Sequence, residues 1–212
     1  MHILSQELYF PPVSEAEEDG LLAVGGDLSS QRLMLAYHSG IFPWFNEGQM
    51  ALWWSPDPRM VVAPSQVYVS KSMRKVFREG LFTVTYNQCF LEVILHCKRI
   101  KRGGQHDTWI TQNMVEAYLK LHEQGHAISV EVWRDKKLVG GLYGIDLKEK
   151  GVFCGESMFS LESNASKVGF ITLSRELEKQ QYRLIDCQMY TNHLASLGAD
   201  EIPREEFLQY LQ

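Results

Sequence analysis

The sequence lacks the features that would place it in several large classes. No basic stretch leads into an apolar run in "MHILSQELYFPP", so no secretory leader is expected, and no window approaches the roughly 18 apolar residues of a membrane span. The four cysteines, Cys89, Cys97, Cys154 and Cys187, show no CxxC spacing, which argues for reduced thiols rather than a disulfide framework or a zinc ribbon. GxGxxG is absent, and no glycine-rich turn precedes the helix expected near Asn164, where an acetyl-CoA enzyme would wrap a pyrophosphate. Repeats, low-complexity runs and linkers are missing as well. These absences predict a cytoplasmic globular protein without a membrane anchor.

What remains is an ordinary soluble composition, 212 residues with 45% hydrophobic and 22% charged side chains, enough for one large domain or a domain with a small companion. The net charge of −5 hides a segregation. Between residues 71 and 102 lie Lys71, Arg74, Lys75, Arg78, Lys98, Arg99, Lys101 and Arg102, opposed only by Glu79 and Glu92, so that segment carries +6. The other 13 basic and 24 acidic residues leave −11 elsewhere. One part of the molecule favours a polyanion and another a cation.

Periodicity and turn chemistry divide the chain. "LSSQRLMLAYHSG" and "SKSMRKVFREG" each offer a serine cap, an apolar stripe and a glycine stop, and read as short helices. A helix is expected after Asn87 to about Cys97. Another is capped by Thr111 and ended by Gly125, with Met114, Tyr118 and Leu121 inward. "AISVEVW", "KLVGGLYGI" and "GVFCGESMF" follow as an antiparallel meander with charged turns. A helix beginning near Asn164, the strand "YRLIDCQMY" and a final helix after Pro203 complete the pattern. The expected fold is mixed α/β, with a small aromatic and proline-rich N-terminal unit over residues 1–65 and a larger domain over 66–212.

Several candidate sites emerge, each with a plainer alternative. "HEQGH", His122 to His126, matches the zinc-protease pattern HExxH. That chemistry needs both histidines on one continuing helix, and Gly125 predicts that the helix ends inside the motif. Strand alternation puts Cys154, Glu156 and Met158 on one side of "VFCGESM", where a carboxylate between sulfur-bearing neighbours must find a partner, stay hydrated or shift its pKa, the plainer alternative being a Glu at a sheet edge reaching water. It likewise puts Leu184, Asp186, Gln188 and Tyr190 on one face, solvated or lining a cleft. The spacing of Asp186 and Gln188, roughly 6.5 Å, would let both act on one ligand. Gly140, Gly141 and Gly144 permit close approach of a backbone or ligand. In "GIFPWFNEGQMALWWSPDPR" and "HDTWIT", Trp44 and Trp109 stand in irregular segments, where a ring can stack on a nucleobase or pin its loop to the core. For the adjacent Trp53 and Trp54, core packing is expected of at least one.

The ordered set "GLLAVGGDLS", "GIFPW", "WWSPDPR", "TWIT", "SVEVW", "LVGGLYG", "FCGESMFS", "NASK", "LIDCQ" and "HLASLGA" resembles the bacterial leucyl/phenylalanyl-tRNA protein transferases from about residue 9 to the end. The resemblance implies a small N-terminal domain joined to a GCN5-related N-acetyltransferase-like domain that works without acetyl-CoA. It implies transfer of Leu or Phe, and less efficiently Met, from aminoacyl-tRNA to the α-amino group of proteins beginning with Arg or Lys, marking them for degradation by the N-end rule. By the same resemblance, Lys71, Arg74, Lys75 and Arg78 meet the tRNA acceptor stem. Trp44 and Trp109 hold the terminal adenosine, with Trp53 and Trp54 behind Trp44. Leu142, Met158, Phe170 and Leu173 form the side-chain pocket. Asp186 draws the proton from the amine through Gln188, and Glu156 helps place the substrates. A monomer with no cofactor and no metal is expected. A coenzyme A-dependent acyltransferase, a metalloprotease and a noncatalytic tRNA-binding module are the competing classes.

Overall fold

The computed structural model describes residues 1–100 and 110–212. Among the described residues the chain forms a four-stranded and a seven-stranded sheet. The small unit contains β1 (His2–Leu4), β2 (Leu21–Gly25), helix α1 (Ser30–His38), β3 (Phe42–Pro43) and β4 (Leu52–Trp54), with the strands in the order β1-β2-β4-β3. Ser29 caps α1 by accepting the Arg32 N–H at 3.3 Å.

β5 (Arg59–Val62) leads into the basic helix α2 (Lys71–Glu79), then β6 (Thr83–Tyr86), α3 (Phe90–Arg99) and α4 (Gln112–Glu123). Ser70 caps α2 through the Met73 N–H at 3.2 Å, and Thr111 caps α4 through the Met114 N–H at 3.2 Å. Gly80 and Gly125 stop these helices with φ of 64° and 81°, values a side chain resists. The meander follows as β7 (Ala127–Arg134), β8 (Lys137–Leu147) and β9 (Val152–Ser160), then α5 (Ala165–Lys179), β10 (Leu184–Gln188), α6 (Asn192–Ala195), β11 (Asp200–Ile202) and α7 (Arg204–Gln209). No helix of the described residues is long and apolar enough to cross a membrane.

The large sheet runs β11-β5-β10-β9-β8-β7-β6. It is antiparallel except for β9 and β10, whose parallel pairing needs the crossover that α5 supplies. Because β5 pairs with both β10 and β11, the large sheet begins before the division expected at residue 65. Composition marked the aromatic segment but not the strand that leaves it.

One apolar cluster joins α1, β4, α3 and α4 through Leu33, Trp53, Val93 and Met114. The other, on the opposite face of the sheet, joins α2 and α5 through Met73 and Ile171. The first cluster is continuous from the small sheet into the large one, so the two units share a core.

The glycines of "GGLYG" serve this packing. A Cβ at Gly140 would meet that of Ala165 at 2.6 Å, and one at Gly144 would meet the Cys154 carbonyl oxygen at 2.3 Å. They admit the start of α5 and the neighbouring strand.

Candidate active site

β9 and β10 pair in parallel only as far as Cys154 and Asp186. Beyond that level each strand carries a bulge. On β9, Tyr143 faces Ser157 while the next residue, Gly144, faces Gly155, which leaves Glu156 as the extra residue. On β10, Asp186 faces Val61 and Gln188 faces Met60, so Cys187 is extra. A bulge bends its strand and re-aims the side chains after it. Here the two strands part, and a cavity of about 530 Å³ lies at the opening.

Trp44, Leu142, Glu156, Met158, Phe170 and Gln188 all line this cavity. Leu173 does not; it is buried within the second cluster, one turn beyond Phe170 on α5. The expectation that Met158 shares a face with Cys154 and Glu156 fails at the bulge. Cys154 lies in the first cluster, whereas Met158 packs against the second, because the inserted residue reverses the alternation.

Glu156 is the carboxylate at the cavity wall, 7% exposed. Its Oε1 accepts from Gln188 Nε2 at 2.7 Å and its Oε2 from the Tyr118 hydroxyl at 2.8 Å. Tyr118 is in turn hydrogen-bonded to the Tyr37 hydroxyl. Burial pushes the Glu156 carboxyl up to about 7, although the hydrogen bonds from Tyr118, Tyr37 and Gln188 favour its anion. Three donors on a carboxylate with about four lone-pair sites leave one site for a ligand. Tyr37 was not singled out in the sequence, and Tyr118 stood out only as part of an apolar stripe. The available signal was chemical: a tyrosine on a buried helix face needs a partner for its hydroxyl.

Asp186 is placed differently. It is 0% exposed and does not line the cavity. Arg59 grips it bidentately, Nε to Oδ1 at 2.8 Å and Nη2 to Oδ2 at 2.7 Å. Its contact with Gln188 is to the backbone N–H, at 2.9 Å, while the Gln188 amide turns to Glu156. Gln188 holds a positive φ of 65°, so this carboxylate–backbone bond helps fix an unfavourable conformation. Arg59 also donates to the Gly40 carbonyl at 3.1 Å, and its guanidinium lies 4.8 Å from the Phe42 ring centre and 4.6 Å from that of Phe207. Arg59 stood inside "WWSPDPR" without an assigned role, since its partner is 127 positions away.

The tryptophans divide. Trp53 is fully buried, donates to the Gly25 carbonyl at 2.8 Å and meets Phe10 edge-on. Trp54 donates to the Trp44 carbonyl at 2.7 Å, and the two rings lie 5.6 Å apart. Trp44 borders the cavity, backed by Trp54. Trp109, like Lys101 and Arg102, lies outside the described residues. Trp53→Ala should therefore lower the unfolding free energy by about 3–5 kcal/mol. Trp44→Ala should leave the thermal midpoint nearly unchanged while weakening a stacked nucleoside by about 1–3 kcal/mol. Calorimetry and a binding titration on both variants separate the two roles, and the reverse pattern would exchange them.

The basic side chains Lys71, Arg74, Lys75 and Arg78 stand on α2, away from the cavity lining. The HExxH segment forms no continuous helix: α4 ends at Glu123, and His122 Nδ1 is occupied 2.8 Å from the Ala127 carbonyl. Among the described residues, no group of three or more His, Cys, Asp or Glu side chains is placed to hold a metal ion.

The family model described as leucyl/phenylalanyl-tRNA protein transferase matches residues 61–212, and that of the N-terminal domain of the same transferase matches residues 26–57. The chain belongs to the leucyl/phenylalanyl-tRNA protein transferase family. It is an aminoacyltransferase by class. The family's Flavobacterium johnsoniae protein, named leucyl/phenylalanyl-tRNA–protein transferase, is 60% identical over all of this chain and 99% of its own length. That of Flavobacterium psychrophilum, with the same name, is 58% identical over the whole of both chains. Among solved structures, this member of the transferase family is similar to a GCN5-related N-acetyltransferase from Kribbella flavida, with a TM-score of 0.36 and 12% identity over 84% of this chain and 63% of that one.

Proposed function

We propose that this transferase moves Leu, Phe or, less efficiently, Met from aminoacyl-tRNA to the α-amino group of proteins that begin with Arg or Lys, marking them for N-end rule degradation. The observation that carries this reading is a buried carboxylate, Glu156, on the wall of a mostly apolar cavity. Leu142, Met158 and Phe170 supply a surface for an unbranched or aromatic side chain, and a single methylene there discriminates by only about 1–3 kcal/mol. Glu156 titrates near 7, within about one unit of an α-ammonium group near 7.7–8.0. It is therefore matched to accept the proton released when the neutral amine attacks the ester. The C–N bond forms in that attack; the tetrahedral intermediate then collapses, the ester C–O bond breaks, and the ribose oxygen leaves as a hydroxyl by taking the proton back from Glu156. Gln188 orients Glu156, and Asp186 fixes Gln188 by its backbone. Since an aminoacyl ester is already reactive, positioning supplies much of the acceleration.

The test is transfer of radiolabelled leucine from Leu-tRNA to a protein with N-terminal Arg. Label should enter that protein and not its N-acetylated form. Equal labelling of both, or transfer from acyl-CoA in place of Leu-tRNA, overturns the reading.

The α2 side chains are assigned to the acceptor stem. Reversing Lys71, Arg74 and Lys75 to Glu should raise KM for Leu-tRNA and flatten its dependence on salt, because released counterions set that slope. Leucyl-adenosine, which lacks the stem, should react almost as before. Equal damage with both donors would assign the patch another role.

A further inference from the structure

The carboxyl of Glu156 has two unlike sides. The partner of its Oε1, Gln188, lines the cavity, whereas the partner of its Oε2, Tyr118, does not. Tyr118 stands on α4, 0% exposed, with its ring edge-on to that of Tyr143 at 5.5 Å between centres. Its hydroxyl has a single proton, directed at Glu156 at 2.8 Å, so in its bond with the Tyr37 hydroxyl it is the acceptor. Tyr37 is therefore the outer donor. It stands on α1 in the small unit, also buried, and its hydroxyl acts on Glu156 as well. Burial, and next the charge of Glu156, holds both phenols well above their ordinary pKa. Each stays a protonated donor while Glu156 titrates.

This chain of hydroxyls has more order than apolar packing requires. Two phenylalanines would fill the same space in the shared core and leave no buried hydroxyl to satisfy. Instead the donors run in one direction, Tyr37 to Tyr118 to Glu156, and each polarises the next, which strengthens the last bond. With Oε2 held from behind, Oε1 is fixed beside Gln188 at the cavity wall. The small unit thus reaches the carboxylate through Tyr37, although α1 does not line the cavity.

We propose that Tyr118 and Tyr37 are positioning residues for aminoacyl transfer: Tyr118 holds Oε2 so that the amine proton is taken at Oε1, beside Gln188, and Tyr37 carries that hold into the small unit. The inference rests on the reading of Glu156 as the base. The proton leaves the amine nitrogen for Oε1 and passes from there to the departing ribose oxygen. The tyrosine protons stay on their phenols.

The experiment measures kcat against pH for wild type, Tyr118→Phe, Tyr37→Phe and the double variant, at saturating Leu-tRNA and acceptor. Loss of a hydrogen bond to the anion favours the protonated acid. In Tyr118→Phe the ascending limb should therefore move up from about 7 by roughly one to two pH units, the size of one hydrogen bond to a charged group. At pH 6 kcat should fall by roughly ten- to hundredfold, and most of that loss should return on the alkaline plateau. KM for Leu-tRNA should not change. Tyr37→Phe should move the limb by less, and the double variant little further than Tyr118→Phe, because Tyr37 acts mainly through Tyr118. The position of a limb does not depend on the folded fraction. Isotope-edited NMR of the Glu156 carboxyl, assigned with Glu156→Gln, reads the same midpoint in the free protein without turnover. A limb and midpoint that stay in place in Tyr118→Phe, or a loss of kcat equal at every pH, overturn the inference and leave the tyrosines as core packing. If the midpoint moves as expected while wild-type protein transfers no leucine, the hold on Glu156 stands and the assigned reaction falls.

Discussion

Arg59→Ala should destabilise the protein by about 3–5 kcal/mol, because it leaves the Asp186 carboxylate buried without its counter-charge. Asp186 is 0% and Arg59 1% exposed, so solvent cannot take over the lost interaction. For a chain of this length the thermal midpoint should fall on the order of 10 °C. Asp186→Asn should be similarly harmful, since it strands the guanidinium. The double substitution Arg59→Met with Asp186→Leu should recover much of the stability, as apolar replacements of buried ion pairs often do. It should not recover activity, because the Gln188 N–H would still lack its carboxylate acceptor. Thermal unfolding and kcat measured on the four proteins decide the matter. If Asp186→Asn reduces kcat by a large factor with no loss of stability, Asp186 acts directly on the reaction.

Glu156→Gln should reduce kcat by about 10²- to 10⁴-fold, the range of general base assistance. It should also remove from the wild-type pH–rate profile the ascending limb centred near 7, leaving the titration of the acceptor amine. The same group shapes stability. Its carboxyl is raised from 4.5 to about 7 in the folded protein, so between those values the folded state binds more protons than the unfolded one. Stability attributable to Glu156 therefore falls as pH rises through that window, by about 3 kcal/mol at 1.36 kcal/mol per unit, and changes little above it. Glu156→Gln should lose this slope. Urea denaturation at pH 4.5, 6 and 7.5 reads it, and parallel pH dependences for the two proteins would mean that Glu156 titrates normally.

Local chemistry was legible in the sequence and long-range pairing was not. Ser29, Ser70 and Thr111 cap the helices for which they were candidates, and Gly80 and Gly125 stop them, because capping depends on neighbours three or four residues away. The meander followed from alternation and its charged turns. The helix expected after Asn87 forms as α3 from Phe90, and Asn87 itself uses its side-chain oxygen to accept the Ser129 N–H at 2.9 Å, a partner the sequence did not mark. A bulge leaves no mark that alternation can reveal, so the reversal of Met158 was hidden. The contacts of Glu156 with Tyr118 and Gln188, and of Asp186 with Arg59, join elements that lie 32 to 127 positions apart in the chain. Sequence placed the two carboxylates on plausible strand faces; only the fold distinguishes the one that meets the cavity from the one that meets an arginine.

The core shared by the two sheets has a kinetic consequence. Leu33 and Trp53 of the small unit belong to the same cluster as Val93 and Met114 of the large one, so swinging the units apart would expose close-packed apolar surface to water. Hinge opening is a high-energy event in such an architecture, and Trp44 stays seated against Trp54 on the lining of the cavity that Glu156 also borders. Donor association should then appear as one concentration-dependent phase without a slow isomerisation, with an on-rate governed by electrostatic steering and by orientation at a preformed cleft.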